Sequence, residues 1–308
     1  MRVFLAGATG AIGAPLVGRL LEDGHTVVGL ARSPAAADRL TQAGCEVARA
    51  DALDPDALKR AAVEARPEVI INQLTSLPKS MLNPLEASKD GKLTNQLRVL
   101  GAPALADAAR DTGAQLIAQS IAFVQKPGSG IRKEDDPLHL TAPAGHRTVV
   151  KAIGVLEDAT ISAGGVVLRY GHFYGPRTYF APDGAYVEML HKRMLPIVGK
   201  GRGSFHLLHL ADAVDATVKA IGAPVGIYNI TDDVRVTAGD LLPWMAKEIG
   251  APQPVTVPGI TFSVGPLTIL RYLIDEQPAV SNAKAKEILG WRPQHPDWHE
   301  PLAVALRG

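Results

Sequence analysis

The chain has 308 residues, 46% of them hydrophobic, enough for one large core or two joined lobes. Its 32 Lys and Arg against 31 Asp and Glu leave a formal charge of +1 with no long run of either sign, which excludes an electrostatic stripe for nucleic acid or a membrane surface. The single Cys45 excludes an internal disulfide framework, and no stretch approaches the roughly 20 apolar residues of a membrane span, so a cytoplasmic protein is expected.

The first element, RVFLAG (2–7), reads as a buried strand, too short an apolar run for a signal peptide. It runs into a turn carrying Gly7, Gly10 and Gly13, with Thr9, Ala11 and Ile12 among them, and a helix over 14–24 follows. Glycines permit a tight turn in which backbone N–H groups approach a pyrophosphate seated on the positive helix end. The G-x-x-G-x-x-G spacing departs from the G-x-G-x-x-G fingerprint, but its place between strand and helix marks a dinucleotide-binding loop. The second strand, TVVGLAR (26–32), ends at Arg32 and Ser33 with no carboxylate nearby. An acid there serves the ribose hydroxyl of NAD, whereas an arginine accommodates a 2′-phosphate, so NADP is expected ahead of NAD.

Strands at CEVARAD (45–51), EVIINQL (68–74) and QLIAQSIAFV (115–124) alternate with helical patterns over 34–44, 55–65 and 94–113. Such alternation predicts an α/β fold of the Rossmann type, a doubly wound parallel sheet with helices on both faces. Further on, GVVLRY (165–170) and GIYNIT (226–231) read as strands, 211–222 and 238–250 as helices, and 171–205 as loops around a pocket. A nucleotide-binding lobe over 1–165 and a smaller substrate lobe over 166–308 are expected, with the chain free to cross between them. ITFSVGPLTILRYL (260–273) reads as helix core, with the wall of a lipophilic pocket as the alternative.

The glycine spacing, Arg32, Asp51 in ARADALD, LRYGHFYGP (168–176), HLADAV (209–214) and NAKAKEILGWRP (282–293) occur in one order. Together they resemble the extended short-chain dehydrogenase/reductases, the NAD(P)-dependent epimerase/dehydratase group, over nearly the whole chain. The resemblance implies an active site in the cleft between the lobes, with Asp51 and its neighbour Ala52 at the adenine and Leu74 and Thr75 near the cofactor. It also implies a homodimer built on helices over 93–111 and 146–163.

Members of that group carry Y-x-x-x-K on the second of these helices, the lysine holding the ribose and the tyrosine exchanging a proton with substrate. Here Lys151 is in place, but Arg147 holds the tyrosine position, and no lysine of the chain has a tyrosine four residues before it. A guanidinium does not give up its proton at neutral pH, so Arg147 is expected to hold developing negative charge or a substrate carboxylate or phenolate. Ser120 falls on a neighbouring, fold-supporting serine of the group, more a local hydroxyl than a catalyst, and Ile121 stands where the catalytic Ser or Thr would be. His172 replaces an asparagine that lies beside the substrate in the group, and it is the expected proton donor, because histidine titrates near neutrality. Tyr174 and Tyr179 are the reserves.

Sugar-nucleotide enzymes of the group place an arginine where this chain has Phe205, which argues against a nucleotide-sugar substrate, although Arg177 or Arg202 could compensate from a loop. No metal is expected: of His206, His209 and Asp212, the two histidines lie three apart on a strand and point to opposite faces. The expected function is an NADPH-dependent reductase or epimerase-like enzyme on a small carbonyl, enone or quinonoid substrate, lipophilic or aromatic. Two alternatives stay open: a cyclase, isomerase or lyase keeping NADP as a scaffold, and a non-enzymatic NADP sensor that binds a protein partner.

Overall fold

Runs of Val, Ile and Leu without polar alternation suit strands covered on both faces, and here they form one seven-stranded parallel sheet. The computed structural model describes residues 1–77, 84–262 and 268–308. The strands are β1 (Arg2–Ala6), β2 (Thr26–Ala31), β3 (Glu46–Arg49), β4 (Val69–Asn72), β5 (Gln115–Ile121), β6 (Val166–Tyr170) and β7 (Gly226–Ile230). Their spatial order is β7-β6-β5-β4-β1-β2-β3. Connections leave β1 and β4 in opposite directions, which opens a crevice at the carboxyl ends of the strands.

Helices α1 (Gly13–Glu22), α2 (Pro34–Gln42), α3 (Pro55–Glu64), α5 (Ala102–Thr112) and α6 (Ala144–Ser162) cover the sheet, and α4 (Pro84–Gln96) packs against α6. The starts of α2 and α3 are written locally, Ser33 and Asp54 accepting the N–H groups of Ala36 and Ala57 with a proline next in line. One core lies against Leu5, Leu16, Leu20, Ile71, Leu168 and Trp291, the other against Phe4, Leu58, Ile70, Leu105 and Leu116, so alternate strand residues feed opposite layers.

Two features differ from the sequence reading. Helix α4 begins at Pro84, well before 94, and joins α5 through a π-helical turn over Leu97–Gly101 that buries Arg98. Lys89, Asp90, Gly91 and Lys92 interrupt any apolar stripe there, so the periodicity that marks a helix is absent. A short helix, α7 (Ala185–His191), lies inside the stretch read as loops, too brief to show a period. The sheet draws strands from beyond residue 165. β6 and β7 both come later, yet β6 pairs with β5 and β7 with β6, so the chain crosses to the second lobe, returns for β7 and leaves again.

Helix α8 (Leu210–Lys219) packs on the sheet, while α9 (Ala238–Glu248) belongs to the second lobe, whose core holds Phe205, Leu241, Leu242, Met245, Trp298 and Leu302. Among the described residues no helix is long and apolar enough to cross a membrane.

Candidate active site

The glycine turn sits at the carboxyl end of β1. Gly7 has φ 90, in the left-handed region, and a Cβ there would stand 2.5 Å from the carbonyl oxygen of Gln73. A Cβ on Gly13 would stand 2.1 Å from the carbonyl oxygen of Gly7, so the turn can close only without side chains at both places. Gly10 is exposed, Thr9 and Ala11 are half-buried, and Ile12 anchors the turn in the core at 4% exposure. The result is a bare backbone cradle at the amino end of α1, which fits a pyrophosphate.

At the next strand ends, Arg32, Pro34, Arg49, Ala50 and Asp51 bound a cavity of about 480 Å³. Ser33 caps α2 through its contact with the Ala36 N–H at 3.2 Å, and Asp51 accepts from the Leu53 N–H at 3.0 Å. Ala52 is 8% exposed, and Leu74 is half-buried against Gly101. Cradle and cavity together fit the pyrophosphate and the adenosine end of an adenine dinucleotide. Arg49 escaped the sequence reading, and the only signal for it was a basic residue two positions before Asp51 in ARAD.

The reacting end is framed by the front of α6. Arg147 and Lys151 are exposed on one face, four residues apart, and neither side chain has a hydrogen-bonded or ionic partner among the described residues. The opposite face carries His146, Val150, Ile153 and Glu157 inward at helical spacing. Ser120 donates to Glu157 Oε1 at 2.7 Å, and Arg169 grips the same carboxylate at 2.8 and 2.7 Å while also donating to the Glu134 carbonyl. Ser120 is therefore committed to a buried ion pair, the structural role ahead of the catalytic one.

His172 lies in a stack of rings, with Phe123 at 4.1 Å and Phe205 at 4.7 Å. Its Nε2 is buried without a hydrogen-bond partner among the described residues, and burial pulls the imidazole pKa down to about 3. Burial thus disfavours the imidazolium form from which the expected proton donor would give its proton. Phe205, expected to line the substrate, is 1% exposed and is the other half of this stack. Tyr174 is fully buried beside the Asp232 carboxyl, and burial raises its phenol above the usual range. Tyr179 leans on Tyr186 with ring centres 5.6 Å apart, and burial raises it too. Arg177, also expected at the substrate, sits at φ 65 and donates to the Thr9 carbonyl at 2.8 Å, so it reaches the glycine turn instead.

The structure brings in residues that no spacing announced. His146 packs on Tyr272 with ring centres 4.2 Å apart, His139 lies 5.8 Å from the same ring, and burial pulls His146 down to about 4. Tyr272 is 2% exposed, in keeping with core, whereas 263–267 of the candidate pocket wall lie outside the described residues. His295, distant in sequence, joins His209 and Asp212 with potential ligand atoms within 4.8 Å of one another. His206 stands apart, its Nε2 accepting the Val280 N–H at 3.0 Å. Asp212 accepts from the N–H groups of Gln294 and His295 and contacts His295 Nδ1, which ties α8 to the segment after Trp291 and occupies the carboxylate.

Comparison with known proteins places this geometry. Residues 3–231 match the sequence profile of the NAD dependent epimerase/dehydratase family. A Streptomyces protein named 3-diazoavenalumate denitrifying reductase is 40% identical over 98% of this chain and 99% of its own length. The UDP-glucose 4-epimerase of Mycolicibacterium smegmatis is 28% identical over 96% of this chain and 94% of its own. Among solved structures, the UDP-glucose 4-epimerase of Thermus thermophilus in complex with NAD superposes with a TM-score of 0.74 at 23% identity, covering 100% of this chain and 98% of that one. The Thermotoga maritima UDP-glucose 4-epimerase with UDP-glucose gives a TM-score of 0.76 at 19% identity, with the same coverage. At these identities the structural likeness speaks for the fold.

Proposed function

Because the chain belongs to the NAD-dependent epimerase/dehydratase family, we propose that it is an NADPH-dependent reductase whose acceptor carbon needs no proton from the protein. An aromatic diazo carboxylate is the substrate class that fits best. The observation that carries this reading is the front of α6, where a permanently charged Arg147 stands in the place of a proton-donating tyrosine. The three candidates to replace that tyrosine are poor acids: His172 is neutral, and burial makes Tyr174 and Tyr179 hold their protons more tightly.

When bound, a reduced nicotinamide supplies hydride, and hydride added to a ring carbon bearing N₂⁺ yields a C–H bond, dinitrogen and oxidised cofactor in balance. The chain's own part is binding and charge. Lys151 holds the ribose. Arg147 pairs with the substrate carboxylate or a phenolate, a charge-assisted contact worth about 1.5–3 kcal/mol. Arg32, on the rim of the cavity just past β2, favours the 2′-phosphate of NADPH. The relative named a denitrifying reductase supports the diazo class. Nucleotide sugars fit less well, since Phe205 is packed into the second lobe where such substrates need an arginine. A homodimer across α6 and the π-helical turn before α5 fits the exposure of Val99, Leu100 and Val155.

The test supplies the protein, under argon, with a hydroxyaryl diazonium carboxylate and NADPH deuterated at C4. The expected result is cofactor oxidation, one dinitrogen per NADPH and deuterium on the former diazo carbon, with UDP-glucose returned unchanged. Solvent hydrogen on that carbon, or turnover confined to enones, would overturn the reading.

A further inference from the structure

We propose that Arg49 is a second arginine of the 2′-phosphate subsite, closing with Arg32 on one phosphate and sharing the discrimination between NADPH and NADH. This rests on the NADPH reading above. β2 and β3 run parallel with Ala31 opposite Arg49, so Arg32, the next residue, leaves the sheet beside it at the strand spacing of about 4.8 Å. Both arginines are exposed and both bound the cavity at the carboxyl ends of these strands.

Neither side chain has a hydrogen bond or ion pair among the described residues. The contrast is Arg2, at the opposite end of the same sheet, which Glu46 holds at 2.6 Å. The amino end of α2 also opens here. Ser33 accepts from the Ala36 N–H, which leaves its own O–H to donate, and the helix end carries partial positive charge. The one acid on the rim, Asp51, is engaged by the Leu53 N–H. Two adjacent guanidinium groups suit a phosphate monoester, which offers three strongly accepting oxygens. A ribose bearing only a 2′-hydroxyl would leave both arginines in water, where they cost nothing. Arg49 therefore acts on the phosphate and hardly on the adenosine.

Calorimetric titration of the full-length protein and its Arg32→Ala, Arg49→Ala and Arg49→Lys variants tests this, with NADPH, NADH and 2′,5′-ADP as ligands. Arg49→Ala is expected to weaken NADPH and 2′,5′-ADP by about tenfold or more at low salt, with NADH within about twofold and part of the loss recovered in Arg49→Lys. The NADH affinity also reports that the variant is folded. If Arg49→Ala leaves the NADPH to NADH ratio unchanged while Arg32→Ala collapses it, the subsite belongs to Arg32 and the inference fails. If Arg49→Ala weakens both dinucleotides equally, Arg49 is a wall of the adenosine pocket and the inference fails as well. In both cases NADPH preference survives. Equal binding of NADH and NADPH by the unmodified protein would instead remove that preference and the inference together.

Discussion

His172 is held face to face with Phe123, the two ring planes only 8° apart, and with Phe205 behind it. A phenyl ring keeps the flat shape of that stack at a modest increase in volume, so His172→Phe removes the titrating nitrogens while keeping an aromatic ring between its neighbours. Because hydride transfer to a diazo carbon needs no acid, the variant is expected to keep its rate of NADPH oxidation within about threefold. A general acid would cost roughly 10²–10⁴ in rate, and a loss of that size in stopped-flow turnover would restore His172 as the donor and undo the proposed chemistry. The sequence could place His172 beside the cleft, since its neighbours follow a known pattern. It could not show the two phenyl rings, which come from residues 49 positions before and 33 after, and those rings decide the protonation state. The tight turn at Gly7 and Gly13 and the place of Arg32 at a strand end were legible because each is set by its own local stretch of chain. The place of Arg49 on the same rim as Arg32 was not, because it is set by the register of two strands.

The carboxylate of Glu157 joins three elements: Ser120 on β5, Arg169 on β6 and the body of α6. Arg98 on the π-helical turn faces it too, and burial pulls that guanidinium down to about 10 against the pull of Glu157. The side chains of Arg169 and Glu157 are 3% and 4% exposed, so removing one leaves an unpaired charge out of water. Glu157→Gln is therefore expected to cost about 3–5 kcal/mol in urea unfolding, and Ser120→Ala about 1 kcal/mol, with cofactor affinity unchanged in the latter. A cost below about 1 kcal/mol for Glu157→Gln would mean that apolar packing alone seats α6. The span of α6 came close to the 146–163 that the family resemblance implied, and its inward residues recur at helical intervals over most of its length. The π-helical turn could not be foreseen. An extra residue per turn shows in sequence only as a slip of phase, and the charged 89–92 segment offers no phase to slip.

Taken whole, the molecule buries several titratable groups of opposite tendency, and their sum sets its stability profile. Sequence order hides this, because each burial is made by chain segments that meet only after the crossing between lobes. Burial pulls His146 and His206 down to about 4 and His172 to about 3, from an ordinary 6.5. A folded pKa below the unfolded one means that the unfolded chain takes up protons first. The stability these histidines contribute is present above pH 6.5 and is lost as pH falls from there towards 4. Three such groups give a limiting slope of about 4 kcal/mol per pH unit. His139 and His209, also lowered chiefly by burial, add to the same limb. Asp232 acts the other way. Burial, with Asp212 and Asp233 nearby, raises its carboxyl from 3.8 to about 9. Its stabilising contribution is complete below pH 3.8 and is lost as pH rises towards 9, at one proton per molecule, or about 1.4 kcal/mol per pH unit. The steeper histidine limb and the shallower aspartate limb meet near pH 6.5, so thermal stability is expected to peak there, falling steeply on the acid side and gently on the alkaline side. Asp232→Asn removes the only group on the gentle limb named here while keeping its shape. It should raise the melting temperature at pH 8, change it little at pH 4 and flatten the alkaline decline. Scanning calorimetry from pH 4 to 9 on both proteins decides the matter: a flat profile, or a variant less stable at pH 8, would show that Asp232 is ionised in the fold and held by partners that offset its burial.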